Sequence, residues 1–354
     1  MKPIVTVLMT VYNGKNYLNE AIESVLCQTL TNYEFLIVDD ASTDNSIEII
    51  NSYNDSRIKL LINKKNIGQT VSLNKGLAIA QGKYIARFDQ DDVCLPKRLE
   101  EQVAFFKKNP SISIVCSREY SIDKQGKRIG VWKRDLNNYG VFLGYIILGL
   151  NPIWTPSAMF VKDVCLQLGS FDVAYGPASD FEYWSRIALK RLNAKVVPEF
   201  HLLRRIHDQS QSNLVADEQY QSTKRAVSNV IKYYSEEEDD RDLLNALLLE
   251  SIQINKFNKK DFLNVSNKIN TLIKNISLKA NLNKDEITSL KFLMFKRMGY
   301  GFKIVSLFNF LPLSLFKIIF YLASPMYLIS LRKFFLITRH KIRTLISTLK
   351  NIYN

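Results

Sequence analysis

Three short polar stretches carry much of the chain's capacity for chemistry. Asp89-Gln90-Asp91-Asp92 sets three carboxylates within four positions, directly after the apolar run Tyr84-Ile85-Ala86-Arg87-Phe88. Carboxylates grouped this way suit a hard divalent cation, Mg²⁺ or Mn²⁺, which takes one or two of them and leaves its other positions to water and phosphate oxygens. An ion so held can absorb the negative charge that builds on a departing diphosphate. Taken alone, the same tetrad is also what a solvated loop or a helix cap looks like. Asp39-Asp40-Ala41-Ser42-Thr43-Asp44 is the second stretch, and its plain reading is a turn that caps the helical run Ile47–Ile50. The third is Thr10-Val11-Tyr12-Asn13-Gly14, where an aromatic ring in a loop could stack on a planar ligand.

Each stretch follows an apolar, β-branched run. Strands are expected at Ile4–Val11, Glu34–Asp39, Ile58–Ile62, Tyr84–Phe88 and Ile112–Cys116, with segments of helical period between them. Leu18, Ile22, Val25 and Leu26 fall on one helical face, as do Val71, Leu77 and Ala78 in a later segment. That alternation predicts an α/β fold with a mostly parallel sheet flanked by helices. In such sheets ligands bind beyond the carboxyl ends of the strands, so the three stretches should converge on one edge. Residues 118–214 are less regular, and 215–290 read as a polar helical extension.

The chain has 354 residues and a formal net charge of +14, which raises nucleic acid as a partner. The distribution argues against it. No acidic residue follows Glu286, while eleven lysines and arginines do; subtracting these from +14 leaves +3 for residues 1–286. The basic excess belongs to a tail, 291–354, that is also rich in Phe, Leu and Ile, a composition suited to an anionic membrane surface. Within it Ile304–Leu331 carries one charge, Lys317, and is interrupted by Pro312 and Pro325, which favours a broken or interfacial segment over a clean span. Cys27, Cys94, Cys116 and Cys165 are too dispersed for a disulfide framework, and the N-terminus reads directly as a core strand, so a cytoplasmic protein without a cleaved leader is expected.

The stretch from Asn66-Ile67-Gly68, through Asn74-Lys75-Gly76-Leu77-Ala78-Ile79-Ala80-Gln81-Gly82 and the strand Tyr84–Phe88, to Asp89-Gln90-Asp91-Asp92 resembles glycosyltransferase family 2. The likeness extends to Val5–Asn13, Ser24–Thr29 and Val38–Asp44, and more weakly to about residue 212. It implies a GT-A type fold, with a nucleotide-binding half over 1–117 and an acceptor half over 118–214 completing a domain of residues 1–214. It also implies a nucleotide-sugar donor, a divalent metal cofactor, and transfer to a saccharide or lipid-linked saccharide acceptor with inversion.

By the same resemblance, Thr10 and Tyr12 lie against the nucleobase and Asp40 accepts from a base N–H. The metal falls to Asp91 or Asp92, with Asp89 orienting donor or metal. Arg87 either faces the diphosphate, pairs with the neighbouring acids, or ends a strand toward solvent. Asp180, in Ala178-Ser179-Asp180-Phe181-Glu182, matches the family's catalytic base, although Ser179 stands where the family has Glu. Helix capping is the plainer alternative for Ser179 and Asp180. Arg205 and His207, in Arg204-Arg205-Ile206-His207-Asp208-Gln209-Ser210, match a late motif that contacts diphosphate or metal. Asn66 and Asn74 read as scaffold. A role in bacterial surface polysaccharide assembly, peripheral on the inner face of the cell membrane, is an expectation by analogy. A sugar-nucleotide nucleotidyltransferase or a catalytically degenerate scaffold are the alternatives; the former lacks its glycine-rich basic loop after strand one.

Overall fold

The computed structural model describes residues 2–208, 210, 214–235, 241–248 and 259–296. Strands β1 (Val5–Val11), β2 (Tyr33–Asp39), β3 (Ile58–Ile62) and β4 (Tyr84–Asp89) form a parallel half-sheet in the order β3-β2-β1-β4. β1 and β2 are buried along their whole length, as expected of parallel strands covered on both faces. The short β8 (Met159–Val161) pairs antiparallel with β4 and with β6 (Ile112–Ile122), which runs parallel to β9 (Asn193–Arg205). β5 (Val93–Cys94) pairs with β9 and β7 (Arg128–Trp132) with β6, completing one nine-stranded sheet among the described residues.

Side-chain alternation along β1 divides the core between the two faces of the sheet. Val5, Val7, Met9 and Val11 pack with α1 (Leu18–Leu26) and α4 (Arg98–Lys108). Leu8 faces the opposite layer, built from α3 (Gln69–Ile79), α5 (Tyr139–Ile147) and α7 (Ser179–Leu189). α1 buries Leu18, Ala21, Ile22 and Val25, close to the expected stripe. α3 does not match expectation: it buries Ser72, Leu73 and Gly76, while Ala78 is exposed. The cause is close packing, since a Cβ at Gly76 would overlap the Leu8 side chain of β1 and draws that face inward.

The other elements are α2 (Ser46–Asn51), α6 (Lys162–Leu168), α8 (Ala216–Ser235), α9 (Arg241–Leu248), α10 (Lys259–Lys279) and α11 over 284–296. Val227, Val230, Ile231 and Tyr234 of α8, with Leu272 and Ile276 of α10, join the same apolar cluster as α5 and α7. The helical segment after β9 is therefore packed on the sheet domain. β6 continues through positions 117 and 118, where the sequence placed the change between halves, with irregular pairing to β9 at Ser117–Glu119. The basic apolar stretch that prompted the membrane reading lies, from residue 297 onward, outside the described residues. Among the described residues no helix is long and apolar enough to cross a membrane. All four cysteines are free thiols.

Candidate active site

The carboxyl ends of β1, β2 and β4 are adjacent, because β1 pairs with both neighbours and Thr10 lies opposite Asp89. The loop after β1 is stitched to the loop after β2. Asn13 N–H donates to Ser42 Oγ (3.0 Å), Thr43 N–H to Asn13 Oδ1 (2.8 Å) and Gly14 N–H to Ser46 Oγ (2.9 Å). Asn13 (φ 50°) and Ala41 (φ 61°) both hold left-handed backbone, a conformation that an alanine adopts only where its surroundings impose it. The buried Asp39 accepts from Ser42 N–H and from Ser42 Oγ, which fixes the turn.

Gln90 ties the acid turn to the first loop. Its amide accepts from Tyr12 N–H (2.9 Å) and donates to Tyr12 O (3.1 Å), leaving the Tyr12 ring 45% exposed at the edge of the site. Thr10 is buried, and its hydroxyl has no protein partner. Asp40 is also buried: Oδ1 accepts from Asn63 Nδ2 (2.9 Å) and Ile67 N–H (3.0 Å), and Oδ2 from Gly68 N–H (2.8 Å). Its carboxylate thus holds the entry to α3 in place, where Gly68 caps the helix at φ 89°.

Beyond β4, three acids occupy distinct environments. Arg87 is buried and its Nη1 stands 2.9 Å from Asp89 Oδ1, so of the three sequence readings the pairing with neighbouring acids is the one realised. Burial raises the Asp89 carboxyl above the usual carboxylate range; Arg87 opposes this, and the nearby Asp91 and Asp180 add to it. Asp91 Oδ2 lies 2.8 Å from His207 Nε2. Asp92 is 3% exposed and accepts from Arg205 N–H (2.9 Å); burial, then the charges of Asp91 and Asp89, push it well up.

Arg205 is engaged with the protein. Nε donates to Asp91 O (3.0 Å), Nη1 to Asp123 O (3.2 Å) and Nη2 to Glu20 Oε2, while the guanidinium lies 4.5 Å from the Tyr17 ring centroid. The Tyr17 ring in turn packs on His207, with centroids 5.1 Å apart. Arg205, expected at the diphosphate or metal, here has an internal role: it holds the backbone of the acid turn against α1. Asp92, placed by the sequence among the metal ligands, likewise bonds to the backbone of β9.

Asp180 sits inside the first turn of α7, whose N-cap is Ala178, and its Oδ1 accepts the Phe181 N–H of that turn. Its Oδ2 accepts from Thr155 Oγ1 (2.6 Å) and Asn151 Nδ2 (3.2 Å). Glu182 bonds to Arg186 instead (2.7 Å). Ser179 Oγ shares a hydrogen bond with Thr70 Oγ1 (3.0 Å) and ties α7 to the start of α3. Asn74 holds the 171 turn through both amide atoms, accepting from Phe171 N–H and donating to Phe171 O.

One edge thus gathers Thr10, Tyr12, Asp40, the acid turn, His207 and Asp180. Glu20, Tyr17, Gln90, Asn151 and Thr155 were not among the sequence candidates. Their types are ordinary, and only the fold brings them to the site.

Residues 6–164 match the family model described as glycosyl transferase family 2. An uncharacterized glycosyltransferase of Methanocaldococcus jannaschii is 34% identical over 212 residues, covering 58% of this chain and 71% of that relative. An uncharacterized glycosyltransferase of Haemophilus influenzae is 31% identical over 270 residues, covering 73% and 83%. Among solved structures, Staphylococcus aureus TarS 1-349 in complex with UDP-GlcNAc aligns with a TM-score of 0.56 at 17% identity, over 87% of this chain and 92% of that one. That likeness is one of fold, and the strand-end loops, the acid turn and the two sequence relatives point the same way: the chain belongs to glycosyltransferase family 2.

Proposed function

We propose that the protein transfers a sugar from a nucleoside-diphosphate sugar to an acceptor hydroxyl in one inverting displacement, with Asp180 as the general base. The observation that carries this reading is the proximity of Asp180 to Asp89, whose carboxyl its charge helps to raise, so that the start of α7 lies beside the turn after β4. Nucleotide and proton acceptor then face the same bound sugar from opposite sides.

The Tyr12 ring is exposed for stacking on the base, and at the end of β1 beside it the Thr10 hydroxyl is buried without a hydrogen-bond partner in the protein. Asp40, with its three donors, sets the shape of the base pocket. Asp91 and His207 are two donors within 2.8 Å, and among the described residues no group of three or more such side chains surrounds one point. That set fits a cation taking few protein ligands, with Asp92 beside it and the rest of the shell left to diphosphate and water. Bound Mn²⁺ or Mg²⁺ would neutralise the charge developing on the leaving diphosphate. Asp180 accepts the acceptor hydroxyl's proton as attack proceeds, and no covalent enzyme intermediate is needed.

UDP-N-acetylglucosamine, named with TarS, is the first donor to test. A lipid-linked saccharide at an anionic membrane surface suits the basic tail, and assembly of a bacterial surface polysaccharide is the setting this implies. The test is a thermal-unfolding panel of UDP- and GDP-sugars with and without Mn²⁺, followed by the anomeric configuration of the product. A sugar that stabilises the protein only with the metal and emerges inverted supports the reading; retention of configuration overturns it.

A further inference from the structure

The loop over 151–155 reaches the proposed base with two donors. Thr155 Oγ1 and Asn151 Nδ2 both give their hydrogen to Asp180 Oδ2, at 2.6 and 3.2 Å, while Oδ1 receives the N–H of Phe181 at 2.6 Å. A carboxylate oxygen presents two in-plane lone pairs. Oδ2 is thereby filled by the loop, and Oδ1 keeps one lone pair. We infer that Thr155 and Asn151 are positioning residues of the transfer reaction, which occupy Oδ2 so that Oδ1 takes the proton of the attacking hydroxyl.

The loop is itself anchored. Arg134 Nη1 donates to Asn151 O, Ser157 N–H and Oγ both donate to Trp154 O (3.0 and 2.9 Å), and the Arg204 guanidinium stacks 4.1 Å from the Trp154 ring centroid. Arg204 Nε lies 3.1 Å from Glu119 Oε1. The base is thus referenced to β6 and β9, and the last residue of β9, Arg205, holds Asp91 and Asp92. One strand pair sets the spacing between proton acceptor and leaving-group site.

The chemistry balances. The hydroxyl oxygen forms a bond to the anomeric carbon while the bond from that carbon to the diphosphate oxygen breaks and its electron pair leaves with the diphosphate. The hydroxyl proton ends on Oδ1. Rotation of the carboxylate would lose this alignment, and misplacement of a catalytic group by a fraction of an ångström to 1 Å costs about 10- to 100-fold in rate.

The inference rests on Asp180 being the base, and the test separates the two. Release of nucleoside diphosphate from a UDP- or GDP-sugar is followed in Thr155→Val, Thr155→Ser and Asn151→Ala, in both the native and Asp180→Asn backgrounds. The expected result is a kcat about 10-fold or more lower in Thr155→Val with donor KM within twofold, recovery in Thr155→Ser, and no further loss on the Asp180→Asn background. Native kcat in Thr155→Val alongside an inactive Asp180→Asn overturns the inference and leaves the base reading standing, as does an equal loss in both backgrounds. Full activity in Asp180→Asn overturns the base reading and the inference with it.

Discussion

The Asp91 carboxylate and the His207 imidazole, 116 positions apart in sequence, stand 2.8 Å from each other. β9 delivers the histidine there, and β4 delivers the acid. If the pair holds the divalent ion, Asp91→Ala and His207→Ala should each remove the Mn²⁺-dependent part of the Tm rise that a nucleotide sugar gives the native protein. Saturation at 100 times Kd corresponds to about 2.7 kcal/mol. A Mn²⁺-dependent rise of native size in both variants would exclude them as ligands.

Arg205 is a fully engaged buried cation, with its side chain 2% exposed. Removing it leaves the Asp91 and Asp123 carbonyls without their donor. Arg205→Ala should lower stability by about 1–3 kcal/mol, read from the denaturant midpoint; the cost comes from the unsatisfied carbonyls and adds little from Glu20, which is half exposed. Arg205→Lys should recover little, because a single ammonium cannot reproduce the fork of contacts.

Gly82 lies against β1, where an added Cβ would overlap the Thr6 amide. Its own N–H donates to Thr6 Oγ1 (2.8 Å), so the backbone cannot retreat without breaking that bond. Gly82→Ala should cost about 1–3 kcal/mol in unfolding free energy. A midpoint unchanged from native would show that the α3–β4 turn is more pliable than its contacts imply.

Glu119 is wholly buried, and desolvation lifts its carboxyl to about 8 against the pull of Arg204. With the folded value above the ordinary 4.5, the native state holds a proton that the unfolded chain releases between those two values. Stability should therefore fall as pH rises from about 4.5 to about 8, and flatten above. Glu119→Gln should make this slope shallower in a series of denaturant midpoints, the remainder belonging to the other acids raised by burial, Asp89 and Asp92, whereas an unaltered slope would assign it to those groups alone.

Much of the donor half was legible in the sequence because parallel strands buried on both faces read as unbroken apolar runs. β1 to β4 fall within a residue or two of their expected bounds, and the polar stretches after them meet as the strand-end rule requires. β6 was read too short. Its second half, Ser117-Arg118-Glu119-Tyr120-Ser121, is polar, yet it is held in the sheet by β9 and β7. No local signal could show that Arg205 turns inward to Glu20 and Tyr17, or that Asn151 and Thr155 meet Asp180, since these contacts join residues 25 to 188 positions apart. The inward-facing side of α3 was misjudged for a related reason: Gly76 is chosen by the neighbouring strand, not by helical period.

The central claim is that Asp180 removes the acceptor's proton at a site where the donor binds independently of it. The most direct measurement compares nucleoside diphosphate release from a UDP- or GDP-sugar by native protein and Asp180→Asn, with donor binding followed in parallel by thermal shift. The account predicts unchanged binding and turnover lower by about 10²- to 10⁴-fold in the variant. Turnover at the native rate would contradict it.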